Sequence, residues 1–191
     1  MKQLYMIDGP DAVGKGTILS AVAGELTGKG AHVHRHIHAT PYDPKDLADD
    51  VRRAYWYAYE RARIYCIVRD FPGVHLLDRS HWTSYAVTGA RWAAELARAE
   101  EITLAEMGIE PVLVLLTAPD AVLNARLRSR PRVASALAAL DEDPRRDAMR
   151  ERYRALADTR VRSVEVSTDA PLMESMAKVV AYLQLDRADL R

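Results

Sequence analysis

The chain has 191 residues, is 49% apolar and balances 27 basic against 27 acidic side chains, which fits one folded α/β domain with a full core. The balance removes any whole-molecule attraction to nucleic acid or to an anionic membrane. No apolar run reaches membrane-spanning length, and a single cysteine, Cys66, excludes an internal disulfide framework.

Gln3–Asp8 reads as the first strand, from the apolar run Leu4-Tyr5-Met6-Ile7. It opens directly into a loop rather than resembling a signal peptide, so a cytoplasmic enzyme is expected. The loop is Gly9-Pro10-Asp11-Ala12-Val13-Gly14-Lys15-Gly16-Thr17. Ile18, Leu19, Val22 and Leu26 then repeat on one helical face, up to a stop at Gly28-Lys29-Gly30. Strand, glycine-rich turn and helix in this order are the setting of a phosphate-binding loop, more than of a chance turn capped by Thr17. Such a turn leaves backbone N–H groups free, the helix N-terminus adds positive potential, and Lys15 adds a full charge. The expected guest is the triphosphate of a nucleotide, held by Gly9, Asp11, Ala12, Val13, Gly14, Lys15, Gly16 and Thr17.

A second strand is expected over 31–38, with His32, His34, His36 and His38 alternating onto one face. With no Cys or carboxylate cluster nearby in sequence, a polar face on an edge strand is preferred to a metal site. A loop follows at 40–44, with Asp43 as cap and Pro44 at the first helical position. Residues 45–70 read as one helix or two abutting ones, mixing Tyr55, Trp56, Tyr57 and Tyr59 with Arg52, Arg53, Arg61 and Arg63. That mixture suits a pocket for a flat phosphorylated ligand and equally a helix with aromatics inward and Arg outward. Phe71-Pro72-Gly73 breaks the chain before a strand over Val74–Asp78. Asp78-Arg79-Ser80 stands at the end of that strand, where ligands bind in open parallel sheets. An acid there suits Mg²⁺-bound water, the Arg beside it suits phosphate, and helix capping is the alternative.

A helical region over 81–107 is divided at Gly89, and Val112–Leu116 is a fully buried strand. Pro119 opens a helix with Arg126 and Arg130 on one face at i,i+4. Arg outnumbers Lys 22 to 5, and eleven Arg lie between Arg126 and Arg162. Guanidinium forks suit phosphate, although a solvated helix face is the usual fate of such runs and compositional bias also raises Arg. A lid is expected at about 128–146, a helix from Pro144, a strand over 161–166, a loop at Thr168–Pro171 and a helix over 172–185. Neither repeats nor composition breaks divide the chain, so 1–191 reads as a single domain.

The order of these motifs resembles thymidylate kinases, within the nucleoside monophosphate kinases of the P-loop group. The similarity runs from the Gly9–Lys15 loop through Tyr59-Glu60-Arg61-Ala62, Asp78-Arg79 and Ser84-Tyr85-Ala86-Val87-Thr88-Gly89 to Ala118-Pro119-Asp120, Arg126, Arg130 and Arg150-Glu151-Arg152-Tyr153. It implies a P-loop NTPase-type α/β fold, a five-stranded parallel sheet in the order 2-3-1-4-5 flanked by helices, often as a homodimer. It implies ATP as phosphate donor, Mg²⁺, and a nucleotide acceptor, most simply dTMP or a related deoxynucleotide. The roles carried over are donor phosphates on Lys15 and the loop amides, the acceptor 3′-hydroxyl on Asp11, and acceptor or transferred phosphate on Arg61 and Arg79. Mg²⁺ falls to Asp78 with Thr17, lid duties to Arg126 and Arg130, the acceptor pocket to Ser84 and Thr88, and the donor base to the Thr168–Pro171 loop.

Four departures stand out, one of them the family's Gly-Ala in the loop, which is Ala12-Val13 here. The residue after Lys15 is Gly16 rather than Ser or Thr, as in adenylate-kinase-type loops, which suggests Mg²⁺ held largely through water and acidic side chains. The family's Tyr-Gln pair near the acceptor base is Val87-Thr88, and the second strand ends in His36-Ile37-His38. Phosphate machinery is therefore retained while base recognition differs. A kinase of a nucleoside or specialised small metabolite is the nearer alternative, and a non-catalytic nucleotide-binding protein is the alternative of another class.

Overall fold

A computed structural model describes residues 2–38, 49–129, 144–157 and 162–188. Five parallel strands form one sheet: β1 (Lys2–Asp8), β2 (Val33–His36), β3 (Gly73–Asp78), β4 (Pro111–Thr117) and β5 (Ser163–Ser167). Their order is β2-β3-β1-β4-β5, as expected. The helices are α1 (Lys15–Gly28), α2 (Asp50–Asp70), α3 (Thr83–Thr88), α4 (Arg91–Glu106), α5 (Asp120–Arg128), α6 (Pro144–Ala157) and α7 (Leu172–Ala188).

β1 is buried on both faces because helices cover both, which explains its unbroken apolar run. Tyr5 and Ile7 face a core built with Ile18, Leu19, Val22 and Leu26 of α1 and Val179, Val180 and Leu183 of α7. Leu4 and Met6 face the other core, with Ile64, Tyr65 and Val68 of α2, Ala97 and Leu104 of α4, and Tyr153 and Leu156 of α6. Each large apolar side chain so buried contributes about 1.5–3 kcal/mol. All the crossovers leave the C-terminal tips of β1, β3 and β4 side by side.

The expected breaks fall where the chain chemistry requires them. α1 stops as Lys29 and Gly30 return their N–H groups to Glu25 and Thr27, with Gly30 at φ 79°. Gly89, at φ 66°, caps α3 and separates it from α4. α2 is capped by Asp49, whose carboxylate accepts from the Val51 and Arg52 amides. β2 is shorter than expected, Val33–His36, because it pairs only with β3, from Val33↔Val74 to His36↔Leu77. β5 sits two residues later than expected at its start, set by its register with β4 from Leu113↔Ser163 to Thr117↔Ser167. The turn at 40–44, most of the lid at 128–146 and Arg130 lie outside the described residues.

Candidate functional site

The site is built at the tips of β1 and β3. β1 ends at Asp8 and the backbone turns sharply at Gly9, with φ 143°. A Cβ on Gly9 would lie 2.3 Å from the Leu116 carbonyl oxygen, so the loop passes over β4 only as glycine. Ala12 follows at φ 64° and Gly14 at φ 96°, both in the left-handed region. Gly14 then hands the chain to α1, accepting from the Ile18 amide at 2.9 Å. The first-turn amides of α1 have no partner within the helix, so the loop ends in an array of donors suited to an anion. Gly16 and Thr17 are exposed there.

Lys15 curls back over this loop. Its Nζ donates to the Gly9 carbonyl at 2.8 Å and to the Pro10 carbonyl at 3.0 Å. Burial, and then the Arg79 guanidinium, draw the ammonium below its ordinary value, against the pull of Asp8, Asp11 and Asp78. A cation held on neutral carbonyls can turn to an incoming phosphate without breaking a salt bridge.

β3 supplies the facing side. Asp78 is half-buried, and its Oδ1 is buried without a hydrogen-bond partner. Burial raises its pKa, and Arg79 and Lys15 partly offset the rise. Arg79 sits at φ 75°, with its amide on the Ile7 carbonyl at 2.9 Å and its Nη2 3.4 Å from Asp11 Oδ1. Left-handed backbone at a non-glycine residue costs about 1 kcal/mol or more and is common at functional turns. The structure thus brings Asp11, Lys15, Asp78 and Arg79 together. Among the described residues no cluster of three or more His, Cys, Asp or Glu forms a ready metal cage. The orphaned Asp78 oxygen beside Lys15 nevertheless fits one hard-cation contact, with Thr17 exposed across the loop, and Mg²⁺ sites of this type take most of their ligands from water and phosphate.

Asp8 is the residue that sequence reasoning missed. It is fully buried, and its two oxygens accept five hydrogen bonds. Oδ1 takes the Gly9 amide at 2.8 Å and the Tyr153 hydroxyl at 3.1 Å. Oδ2 takes the Ser80 amide at 3.0 Å, the Ser80 hydroxyl at 2.6 Å and the Thr83 hydroxyl at 2.6 Å. The only signal in the sequence is a carboxylate closing an apolar strand directly before the glycine loop.

Other expected site residues have different occupations. Arg61 is 1% exposed and forks onto Glu100, Nε to Oε2 at 2.7 Å and Nη2 to Oε1 at 2.6 Å. Tyr65 also donates to Glu100 Oε2, at 3.0 Å. Burial opposes the Arg61 charge, and Glu100 outweighs it, so the guanidinium stays above its ordinary value. The Thr88 hydroxyl donates to the Ser84 carbonyl at 2.8 Å and accepts the Ala90 amide at 3.2 Å, closing the end of α3. Ser84 is half-buried on the same short helix. Arg126 reaches back from α5 rather than outward: it donates to the Thr168 hydroxyl at 3.0 Å, to the Thr168 carbonyl, and to the Val13 carbonyl at 3.4 Å. Thr168 itself donates to Val13 at 2.8 Å, so the loop before α7 is tied to the glycine loop. α6 docks through Arg150, on Asn124 at 2.8 Å, and through Arg152, whose Nε donates to the Ala86 carbonyl at 2.7 Å.

The imidazoles do form a row on the edge strand, on the face covered by α2. β3 adds a member: His75, fully buried, is in register with His34 and stacks on it at 4.4 Å. His75 Nε2 donates to the Phe71 carbonyl at 3.0 Å, which leaves Nδ1 to accept from His36 Nε2 at 2.9 Å. These bonds require the His75 ring to be neutral. Burial, then His75 and His34, draw His36 down to about 4. Burial, then Arg61 and Arg79, draw His38 down to about 3. His38 ends the row beside Tyr57; neither ring nitrogen makes a regular hydrogen bond, although the Asp78 backbone lies close enough to favour the charged form slightly.

No helix among the described residues is long and apolar enough to cross a membrane. The sequence matches no protein-family model and no curated protein.

Proposed function

We propose that the protein is a Mg²⁺- and ATP-dependent phosphotransferase acting on a nucleoside monophosphate, most simply dTMP or a related deoxynucleotide. The observation that carries this reading is the facing of two halves at the sheet's C-terminal edge: the Gly9–Gly14 turn with Lys15 and the α1 amides, and Asp78 with Arg79 at the tip of the adjacent strand. Phosphoryl transfer needs positioned cations and donors more than covalent help, and this edge offers both. The loop amides and Lys15 would hold donor phosphates, Arg79 the transferred group, and Asp78 with Thr17 the metal. Bound Mg²⁺ would supply neutralisation of phosphate charge. Asp11, already paired with Arg79, would meet the acceptor hydroxyl.

One observation favours a second reading, a kinase whose acceptor carries no phosphate. Arg61, expected on the acceptor phosphate, is committed to Glu100, which thins the cationic provision on that side.

The test is ADP formation from Mg-ATP against nucleoside monophosphates, nucleosides and no acceptor, with Lys15→Ala as control. The proposal expects acceptor-dependent turnover that falls at least a hundredfold in Lys15→Ala while the fold is kept. Turnover with nucleosides alone would select the second reading. Undiminished turnover in Lys15→Ala would overturn both.

A further inference from the structure

The ladder between β1 and β3 ends at Ile7↔Asp78. Beyond that pair, among the described residues, one more backbone bond follows, from the Arg79 amide to the Ile7 carbonyl at 2.9 Å, and it does not reach the Gly9 loop, yet the residues proposed to act all lie beyond the pair or at its end. The Asp8 side chain continues the connection. One oxygen holds Gly9, the first residue of the loop; the other holds Ser80, which follows Arg79 directly, and Thr83 at the start of α3. A carboxylate is planar and offers about four lone-pair sites. Five donors at 2.6–3.1 Å saturate both oxygens, so the group cannot rotate without losing partners on two elements. The direct side-chain link across the gap, Arg79 to Asp11 at 3.4 Å, is longer and partly exposed.

Tyr153 extends the same bracket to α6. Its ring is 1% exposed, and its hydroxyl meets the Oδ1 that also accepts Gly9. We propose that Asp8 is a positioning residue that sets the distance between the Gly9 loop and the Asp78-Arg79-Ser80 turn, and that Tyr153 of α6 acts on the site through it. This rests on the phosphotransferase reading for its kinetic test, and on geometry alone for its structural one.

The kinetic test uses Asp8→Asn, Tyr153→Phe and the double variant in the full chain, with Mg-ATP and the best acceptor of the panel. Asn keeps the shape but replaces one acceptor oxygen by a donor, facing groups that all donate. Expected are a kcat at least tenfold lower in Asp8→Asn and about threefold to tenfold lower in Tyr153→Phe. KM for ATP should stay within about threefold, since a misaligned transfer geometry lowers kcat more than ground-state binding. Tyr153→Phe should add little in the Asp8→Asn background, because residues acting through one group are not additive. Multiplying effects, an unchanged kcat, or a kcat loss matched by the unfolded fraction would overturn the proposal. If Asp8→Asn fails to fold, Tyr153→Phe and Thr83→Val form the same cycle, each deleting one hydroxyl on the carboxylate. Wild-type protein transferring phosphate to no acceptor would count against the phosphotransferase reading instead. Amide hydrogen exchange at Gly9 and Ser80 in Tyr153→Phe then decides the bracket: about tenfold faster exchange supports it, and unchanged exchange overturns it.

Discussion

Acidification from neutral pH should weaken this fold first through its imidazole row. His36 has an ordinary pKa of 6.5 in the unfolded chain and about 4 in the fold. As pH falls through that window the unfolded chain takes the proton first, so stability is present at neutral pH and is lost downward from about 6.5. At pH 5 a wholly sheltered ring with these values would have lost about 2 kcal/mol; its partial exposure brings this to about 1 kcal/mol. His75 is lowered by burial and titrates in the same sense, as does His38 from about 3. The perturbation is His36→Gln, whose amide N–H can still donate to His75 Nδ1 while carrying no titrating ring. Urea unfolding at pH 7.5, 6.5, 5.5 and 5.0 is the assay. Wild type should lose stability steadily over this range, and the variant should lose about 1 kcal/mol less, near 0.5 M in midpoint for a chain of this size. Equal slopes for the two proteins would refute the assignment of a neutral, donating His36.

Gly9→Ala should destabilise the fold by about 3 kcal/mol or more, since its Cβ would lie 2.3 Å from the Leu116 carbonyl oxygen at φ 143°; calorimetry checks this. Ala12→Gly should do the reverse, relieving φ 64° and raising stability by about 0.5–1 kcal/mol, or Tm by about 2 °C. Arg126→Met should cost about 1–3 kcal/mol by taking the guanidinium donor from the Thr168 carbonyl and hydroxyl and leaving Val13 with the Thr168 hydroxyl alone, with loosened exchange in the loop before α7 as the local readout.

The central strands, the glycine loop and its helix were legible because their signals are local: an apolar run, a turn chemistry, a 3.6-residue repeat. The strand order came with the resemblance and was then found in the sheet. What stayed hidden is what the tertiary fold assembles. Apart from the Gly9 amide, Asp8 meets partners 72, 75 and 145 residues away, so no window of sequence contains most of its hydrogen bonds. Arg61 reads as a free cation until the fold sets Glu100, 39 residues on, against it. The row of histidines was readable as a polar edge face, but its keystone, His75, enters from β3 through register. Thr88, read into a pocket by motif spacing, also carries a local bond no motif shows: its hydroxyl donates to the Ser84 carbonyl at 2.8 Å.

The position of β1 also shapes how the molecule comes into being. This strand is the middle of the sheet, yet Tyr5 must wait for Leu76 on one side and Val112 on the other. At about 5–20 residues per second, the ribosome needs roughly 5 to 20 s to supply that last neighbour. Until then Leu4-Tyr5-Met6-Ile7 is an apolar strand whose β4 side is not yet covered. Growth temperature and translation speed should therefore govern soluble yield more than the stability of the finished fold does, and slowing synthesis without a holding chaperone should favour aggregation.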